Sequence, residues 1–312
     1  MTASANRANT PALFPVVDGL WGLRNVFVNL YYVRTSPTSW VLIDAGLPGS
    51  GPKLVHEAAL LFGADVPPTA ILLTHGHFDH VGALGHLLQV WPEVPVYAHA
   101  LELPYLKGLS AYPPPDPTVG GGLMAAMSFL YPKQPLDLGP RVHTLPADGS
   151  CPHLPGWRWL ATPGHSPGHV SFFQEASRVL VAGDAFVTVR AESGLATLAQ
   201  KQEVHGPPAY FTPDWPQASR SVSLLAALQP TVAATGHGIP MRGSELRQAL
   251  VNLAEHFAEQ AVPRHGRYVN TPAEADETGI TYVPPVHFPV VPALALGVGL
   301  AVAGSVYLLR RR

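Results

Sequence analysis

Apolar and polar positions along the chain switch between two periods. Short apolar runs at 26–33, 40–44, 70–74 and 94–98 read as strands, while 53–62 and 83–90, with apolar residues at three- and four-residue spacing, read as helices. The second half repeats the habit, with strands predicted over 157–161, 170–174, 179–182 and 231–235 and helices after Asp214 and Ser244. The last helix is the best defined: Leu246, Ala249, Leu250, Leu253, Phe257 and Ala261 keep to one face, Ser244 is placed to cap its start, and Pro263 stops it. The order predicts two similar layered α/β halves, with no internal sequence repeat.

Between the halves, 112–117 is proline-rich and 120–122 is all glycine, leading to an apolar stretch with Met124, Met127, Phe129 and Tyr131. This 112–131 segment reads as an insertion, either a lid over a pocket or a packed surface excursion. The flanks fall outside the pattern. Residues 1–13 read as a flexible leader without the apolar run of a secretory signal, and 263–288 as a polar, proline-dotted wrap or linker. Residues 289–309 carry no charge and, at 1.5 Å per residue, would span about 31 Å as a helix, which matches a bilayer core. The favoured expectation is a C-terminal transmembrane helix followed by the basic tail 310–312, with the catalytic part on the cytoplasmic side; a buried helix docked on the domain is the competing reading.

Composition narrows the function classes. Of 312 residues, 47% are hydrophobic and only 13% charged, enough apolar material for one large globular domain. A net charge of -2, with 19 Lys and Arg scattered along the chain, gives no concentrated field for phosphates, so nucleic acid is not expected as a partner. Cys151 is the one cysteine, which excludes a thiolate-rich metal site and leaves the 15 histidines and the carboxylates as candidate ligands.

The chemistry concentrates where the strand at 70–74 ends. There the chain reads His75-Gly76-His77-Phe78-Asp79-His80, then Val81-Gly82 and a helix. A tight turn containing glycine aims His75 and His77 together at one ion, while Asp79 and His80 leave the turn toward a second. Imidazole and carboxylate without thiolate suit zinc first, with iron or manganese as substitutes. Three further candidates each follow a predicted strand beside glycine: His165 in Pro163-Gly164-His165-Ser166-Pro167-Gly168-His169, Asp184 in Ala182-Gly183-Asp184, and His237 in Gly236-His237-Gly238. His169 lies at the start of the next strand and reads as a supporting residue instead.

This set resembles the metallo-β-lactamase superfamily, with its His-x-His-x-Asp-His loop and later Pro-Gly-His, Gly-Asp and Gly-His elements, over roughly 14–262; a glyoxalase II-like or lactonase-like subgroup is nearest in style. Asp44 in Ile43-Asp44-Ala45-Gly46 is similar to that superfamily's early Asp-x-Gly turn, which supports the metal loop from behind. The resemblance implies an α+β fold, an αββα sandwich of four layers with the metals at one edge between two sheets. It implies that His75, His77 and His165 hold one metal, Asp79, His80 and His237 the other, and that Asp184 bridges them. Flavodiiron reductases of the superfamily usually carry Glu where this chain has His77, which argues against an oxygen or nitric oxide reductase.

The expected activity is that of a dinuclear zinc hydrolase in which a metal-bridging hydroxide attacks an ester, thioester or lactone carbonyl of a small acyl substrate, with Asp79 delivering the proton. Two other readings compete. One is an iron-dependent redox enzyme of the same fold, the other a membrane-attached metal-binding module without turnover. Basic glutathione contacts of the kind glyoxalase II adds after the last histidine are not recognisable here.

Overall fold

The computed structural model describes residues 12–286. Seven strands, β1 (Leu13–Val17), β2 (Leu20–Asn25), β3 (Val28–Ser36), β4 (Ser39–Ile43), β5 (Ala70–Leu72), β6 (Val96–Ala98) and β7 (Val142–Thr144), make one sheet in chain order. It is antiparallel from β1 to β4 and parallel from β4 to β7. A second sheet contains β8 (Trp157–Ala161), β9 (Val170–Gln174), β10 (Val179–Gly183), β11 (Val232–Thr235) and β12 (Met241–Arg242), ordered β12-β11-β10-β9-β8 with β10 parallel to β11. A separate hairpin, β13 (Glu274–Asp276) and β14 (Gly279–Tyr282), follows near the end of the described chain.

The period of two places side chains on opposite faces and so builds the layers. In β3 and β4, Tyr32, Trp40 and Leu42 face the helices α1 (Gly51–Phe62) and α3 (Leu84–Val90), which come before and after the short α2 (Phe78–Val81) in the chain. Their neighbours Tyr31, Val41 and Ile43 turn inward and meet Phe172, Val181 and Val232 of the second sheet. On the far side of that sheet, Phe173, Leu180, Ala182 and Ala233 pack under α7 (Trp215–Ala227) and α8 (Gly243–Glu255). Short helices α4 (Leu103–Leu106), α5 (Leu123–Ala126) and α6 (Gly194–Ala199) lie in the connections, and α9 (Phe257–Gln260) ends the helical part. The result is helix, sheet, sheet, helix: the expected αββα sandwich.

Several details depart from the sequence pattern. The β1–β2 hairpin was not anticipated, because Pro15 and Gly22 interrupt the apolar alternation that marks a strand. Ser244 does not cap α8: the helix begins at Gly243 directly from β12, with Arg242 at the cap position and no side-chain capping bond. His256 separates α8 from α9, so the single amphipathic face read from Leu246 to Ala261 is carried by two helices.

The expected transmembrane helix is a correction. Among the described residues no helix is long and apolar enough to cross a membrane. The segment 289–309 and the tail 310–312 lie outside the described residues, as does most of the leader 1–13. The length and lack of charge that suggested a span are properties a segment has whether or not it enters a bilayer, and the anchor, the membrane partner and the membrane localisation built on it are withdrawn.

Candidate metal centre

The candidate ligands leave neighbouring strand ends at one edge of the sandwich. Asp44 follows β4, His75 to His80 follow β5, His165 follows β8, Asp184 follows β10 and His237 follows β11. Because β4 runs parallel to β5 and β10 to β11, their carboxyl ends open on the same side, where loops carry side chains without interrupting the ladders. His75, His77, Asp79, His80, His165, Asp184 and His237 all come together there, and none is more than 5% exposed.

Three groups have their ligand atoms within 4.8 Å of one another: His75, His77 and His165; His75, His80 and Asp184; and Asp79, His80 and His237. Nδ1 of His77 lies 2.9 Å from Nε2 of His165. One oxygen of Asp184, Oδ2, faces three imidazoles, at 3.0 Å from Nε2 of His237, 3.5 Å from Nε2 of His165 and 3.6 Å from Nε2 of His80. Nε2 of His237 is also 3.6 Å from Oδ2 of Asp79.

Burial this deep normally demands a partner for every polar atom. Nε2 of His75, Nε2 of His80 and Oδ1 of Asp184 are buried without a hydrogen bond, although they belong to these same groups. Divalent cations satisfy such atoms, so the donor set fits a dinuclear metal site of imidazole and carboxylate ligands.

The electrostatics divide the cluster. Burial, reinforced by neighbouring imidazoles, holds His75 and His165 well below the ordinary histidine range and brings His77 down to about 3, leaving this trio neutral and its lone pairs available. For His80 burial also acts downward, but Asp184, Asp44 and Asp79 outweigh it and the pKa ends well above the usual value; His237 is raised in the same way by Asp184 and Asp79. Burial works against the Asp184 carboxylate, yet His237 and His80 keep it well below its usual range, whereas burial wins at Asp79 and raises it.

Behind the cluster, hydrogen bonds fix the ring orientations. Asp44, held at φ 63, accepts from Thr74 N at 2.8 Å, from Thr74 Oγ1 at 2.8 Å and contacts Nδ1 of His80 at 2.9 Å. That leaves Nε2 of His80 facing the site, the tautomer a metal ligand needs. His169 accepts the backbone N–H of Asp184 on Nε2 at 2.9 Å and pairs Nδ1 with Thr162 Oγ1 at 2.9 Å, so it orients Asp184 from outside the metal-facing group. Nδ1 of His237 pairs with the Phe27 carbonyl at 2.9 Å.

Sequence reasoning gave no individual role to four residues around the centre, Tyr112 entering only as the first residue of the 112–131 segment. Thr74 joins Asp44 to Nδ1 of His75. Phe211 stacks on His77, with ring centroids 4.7 Å apart and planes at 29°, and Tyr112 lies against the same imidazole at 4.5 Å. Glu102, fully buried, bonds the loops on either side of His75 and His165. None of the four sits in a local pattern that marks chemistry; Glu102, a charge between Leu101 and Leu103 just past a strand, is the nearest to a signal. Beside His77 opens a cavity of about 300 Å³, lined by Phe78, Tyr112, Pro135, Leu136 and Phe211 among others.

Comparison with known proteins agrees with this geometry. The family model described as "Metallo-beta-lactamase superfamily" matches residues 23–237. A relative named "Probable metallo-hydrolase YflN", from Bacillus subtilis (strain 168), is 48% identical over 247 residues, which cover 78% of this chain and 93% of that protein. A more distant one, "Thioesterase pkgB" of Emericella nidulans, is 26% identical over 77% of this chain and 51% of its own length. Among solved structures, a subclass B3 metallo-beta-lactamase of Bradyrhizobium japonicum superposes with a TM-score of 0.52 at 18% identity, covering 83% of this chain and 96% of that one, a likeness of fold.

Proposed function

The chain belongs to the metallo-β-lactamase superfamily and is a metal-dependent hydrolase, and from that premise we propose that it uses two zinc ions to cleave the ester, thioester or lactone bond of a small apolar acyl compound. The observation that carries the reading is Oδ2 of Asp184 facing His80, His165 and His237 at 3.0–3.6 Å, one carboxylate oxygen shared between two ligand groups. His75, His77 and His165 would hold one ion, and Asp79, His80 and His237 the other. When bound, the two ions supply Lewis acidity and bring the pKa of coordinated water toward about 7, so that a nucleophile exists at neutral pH.

The protein's own residues do the rest. Asp79, besides serving as a ligand, is placed to pass a proton through its carboxylate, whose Oδ2 lies 3.6 Å from Nε2 of His237. The rings of Phe78, Tyr112 and Phe211 give the acyl group an apolar wall and exclude water from the side of His77. Among the described residues Lys133 is the one Lys or Arg lining that cavity, which favours an uncharged acyl portion over a phosphodiester.

Elemental analysis of the purified full chain, with a panel of p-nitrophenyl esters, a thioester, lactones, nitrocefin and a phosphodiester, tests the reading. The thioester earns its place from the pkgB relative. About two zinc ions per chain with turnover of an acyl substrate supports the proposal. Iron in their place without hydrolysis, or turnover confined to the phosphodiester, overturns it.

A further inference from the structure

Glu102 is completely buried at the start of α4, and among the described residues no ion pair reaches it. Its carboxylate is nevertheless fully occupied by donors. Oε2 accepts from the backbone N–H of Gly76 at 2.9 Å and from the hydroxyl of Tyr112, while Oε1 accepts from Ser166 Oγ at 2.8 Å and from the backbone N–H of Gly168 at 2.7 Å. Gly76 also donates to the Tyr112 oxygen at 2.9 Å.

The placement of these donors is selective. Gly76 lies between His75 and His77, and Ser166 and Gly168 follow His165; one oxygen of Glu102 thus grips the first loop and the other oxygen the second. Those loops carry all three members of the His75, His77 and His165 group, at the positions next to the gripped backbone, and the first loop then runs into α2, which holds Asp79 and His80. Among the described residues, none of these hydrogen bonds goes to Asp79, His80 or His237.

Both glycines fit this arrangement by close approach. A Cβ on Gly76 would lie 2.5 Å from the Tyr112 hydroxyl oxygen, and one on Gly168 would lie 2.9 Å from Cγ of Glu102. The glycine in His-Gly-His and the second one in Pro-Gly-His-Ser-Pro-Gly-His therefore leave room for the clamp. A side chain at either would push the carboxylate off the loops.

We propose that Glu102, with Tyr112 as its partner, is a positioning residue that clamps the two loops together and sets the distance between the His75–His77 pair and His165, so that one of the two metal sites depends on it and the other does not. The inference rests on the two-metal reading above. A residue that merely stabilised the fold would affect both sites through global stability. A clamp on one histidine group separates them.

The test is titration of the metal-free full chain with Co²⁺ alone, and with Zn²⁺ in competition, following the two binding steps by visible absorption in the wild type, Glu102→Gln, Tyr112→Phe and Ser166→Ala. Glu102→Gln keeps the volume but turns an amide N–H toward existing donors. The expected result is one equivalent weakened by about 10–100-fold, the usual cost of losing a partner behind a ligand, with the other bound as in the wild type. Tyr112→Phe and Ser166→Ala move the same equivalent by smaller factors. If Glu102→Gln does not fold, those two variants decide by the same criterion. Two unchanged equivalents, or two weakened equally, overturn the clamp, while a wild type that binds fewer than two ions overturns the two-metal reading beneath it.

Discussion

Nδ1 of His77 and Nε2 of His165 face each other at 2.9 Å across two loops that belong to different sheets. Both rings are driven to the neutral form by burial, so without an ion the contact must be a single shared proton between two basic nitrogens. A cation replaces that proton and ties the loops more strongly. Removing metal with a chelator should therefore lower the melting temperature as well as abolish hydrolysis. At an ion concentration of 100 times its Kd, binding contributes about 2.7 kcal/mol, or about 5–10 °C for a domain this size. Thermal unfolding with and without Zn²⁺ measures it, and an unchanged melting temperature would count against a metal shared by the two sheets.

The pH dependence of the metal-free protein follows from the same burial. His77 and His169 are each brought down to about 3, chiefly by desolvation, so the unfolded chain binds protons between about pH 3 and 6.5 that the folded chain refuses. Stability rises with pH across that window and is lost on acidification, by about 1.4 kcal/mol per pH unit for each group. His80 and His237 have raised values and act oppositely: their contribution is complete below pH 6.5 and disappears as pH rises through their folded-state pKa. Urea unfolding of chelated protein should show a maximum near pH 6.5, and a profile flat from there down to about pH 4 would refute the assignment.

Asp184→Ala should lose metal and activity together. Its Oδ2 is within 3.6 Å of His165 from one ligand group and of both His80 and His237 from the other, a shared position that its removal empties. Metal content by elemental analysis should fall from two ions toward one or none, with turnover reduced by at least about 100-fold. An undiminished metal count in this variant would remove Asp184 from its shared position.

Phe211→Ala separates substrate from metal. The ring stacks on His77 and walls the adjoining cavity without supplying a ligand atom. Removing it should leave two ions bound and raise KM for longer acyl chains by about 10-fold, with kcat less affected, since the contact is made equally to substrate and transition state. Kinetics over a series of p-nitrophenyl esters from acetate upward would show this, and a uniform loss of kcat at every chain length would contradict an acyl-binding role.

What was legible in the sequence followed from locality. Strands β8 and β9 begin and end where the apolar runs do: β9 lies between β10 and β8 and is buried along most of its length, while β8, at the sheet edge, is bounded by the turn residues Gly156 and Pro163. The candidate ligands stood out because His75, His77, Asp79 and His80 share one loop and the others sit beside glycines. Glu102 and Tyr112 did not, since their meaning lies in bonds to Gly76 and Gly168, 26 to 66 residues away, which no local window contains. The β1–β2 hairpin escaped for a different reason: its residues pair mainly with each other and with β3, and Pro15 and Gly22 break the alternation. The uncharged run at 289–309 shows the opposite error, a local pattern given a meaning that only its surroundings could supply.

The division of ligands between the two sheets also orders events during synthesis. When the first sheet has left the ribosome, His75, His77, Asp79 and His80 are present, yet each ligand group of the mature site still lacks its third ligand, His165 or His237. A nascent chain therefore holds an ion only weakly until the second sheet docks. Full metal affinity then reports that both halves are made and correctly joined, and a truncated or misassembled chain would betray itself by surrendering its metal to the cell's buffers.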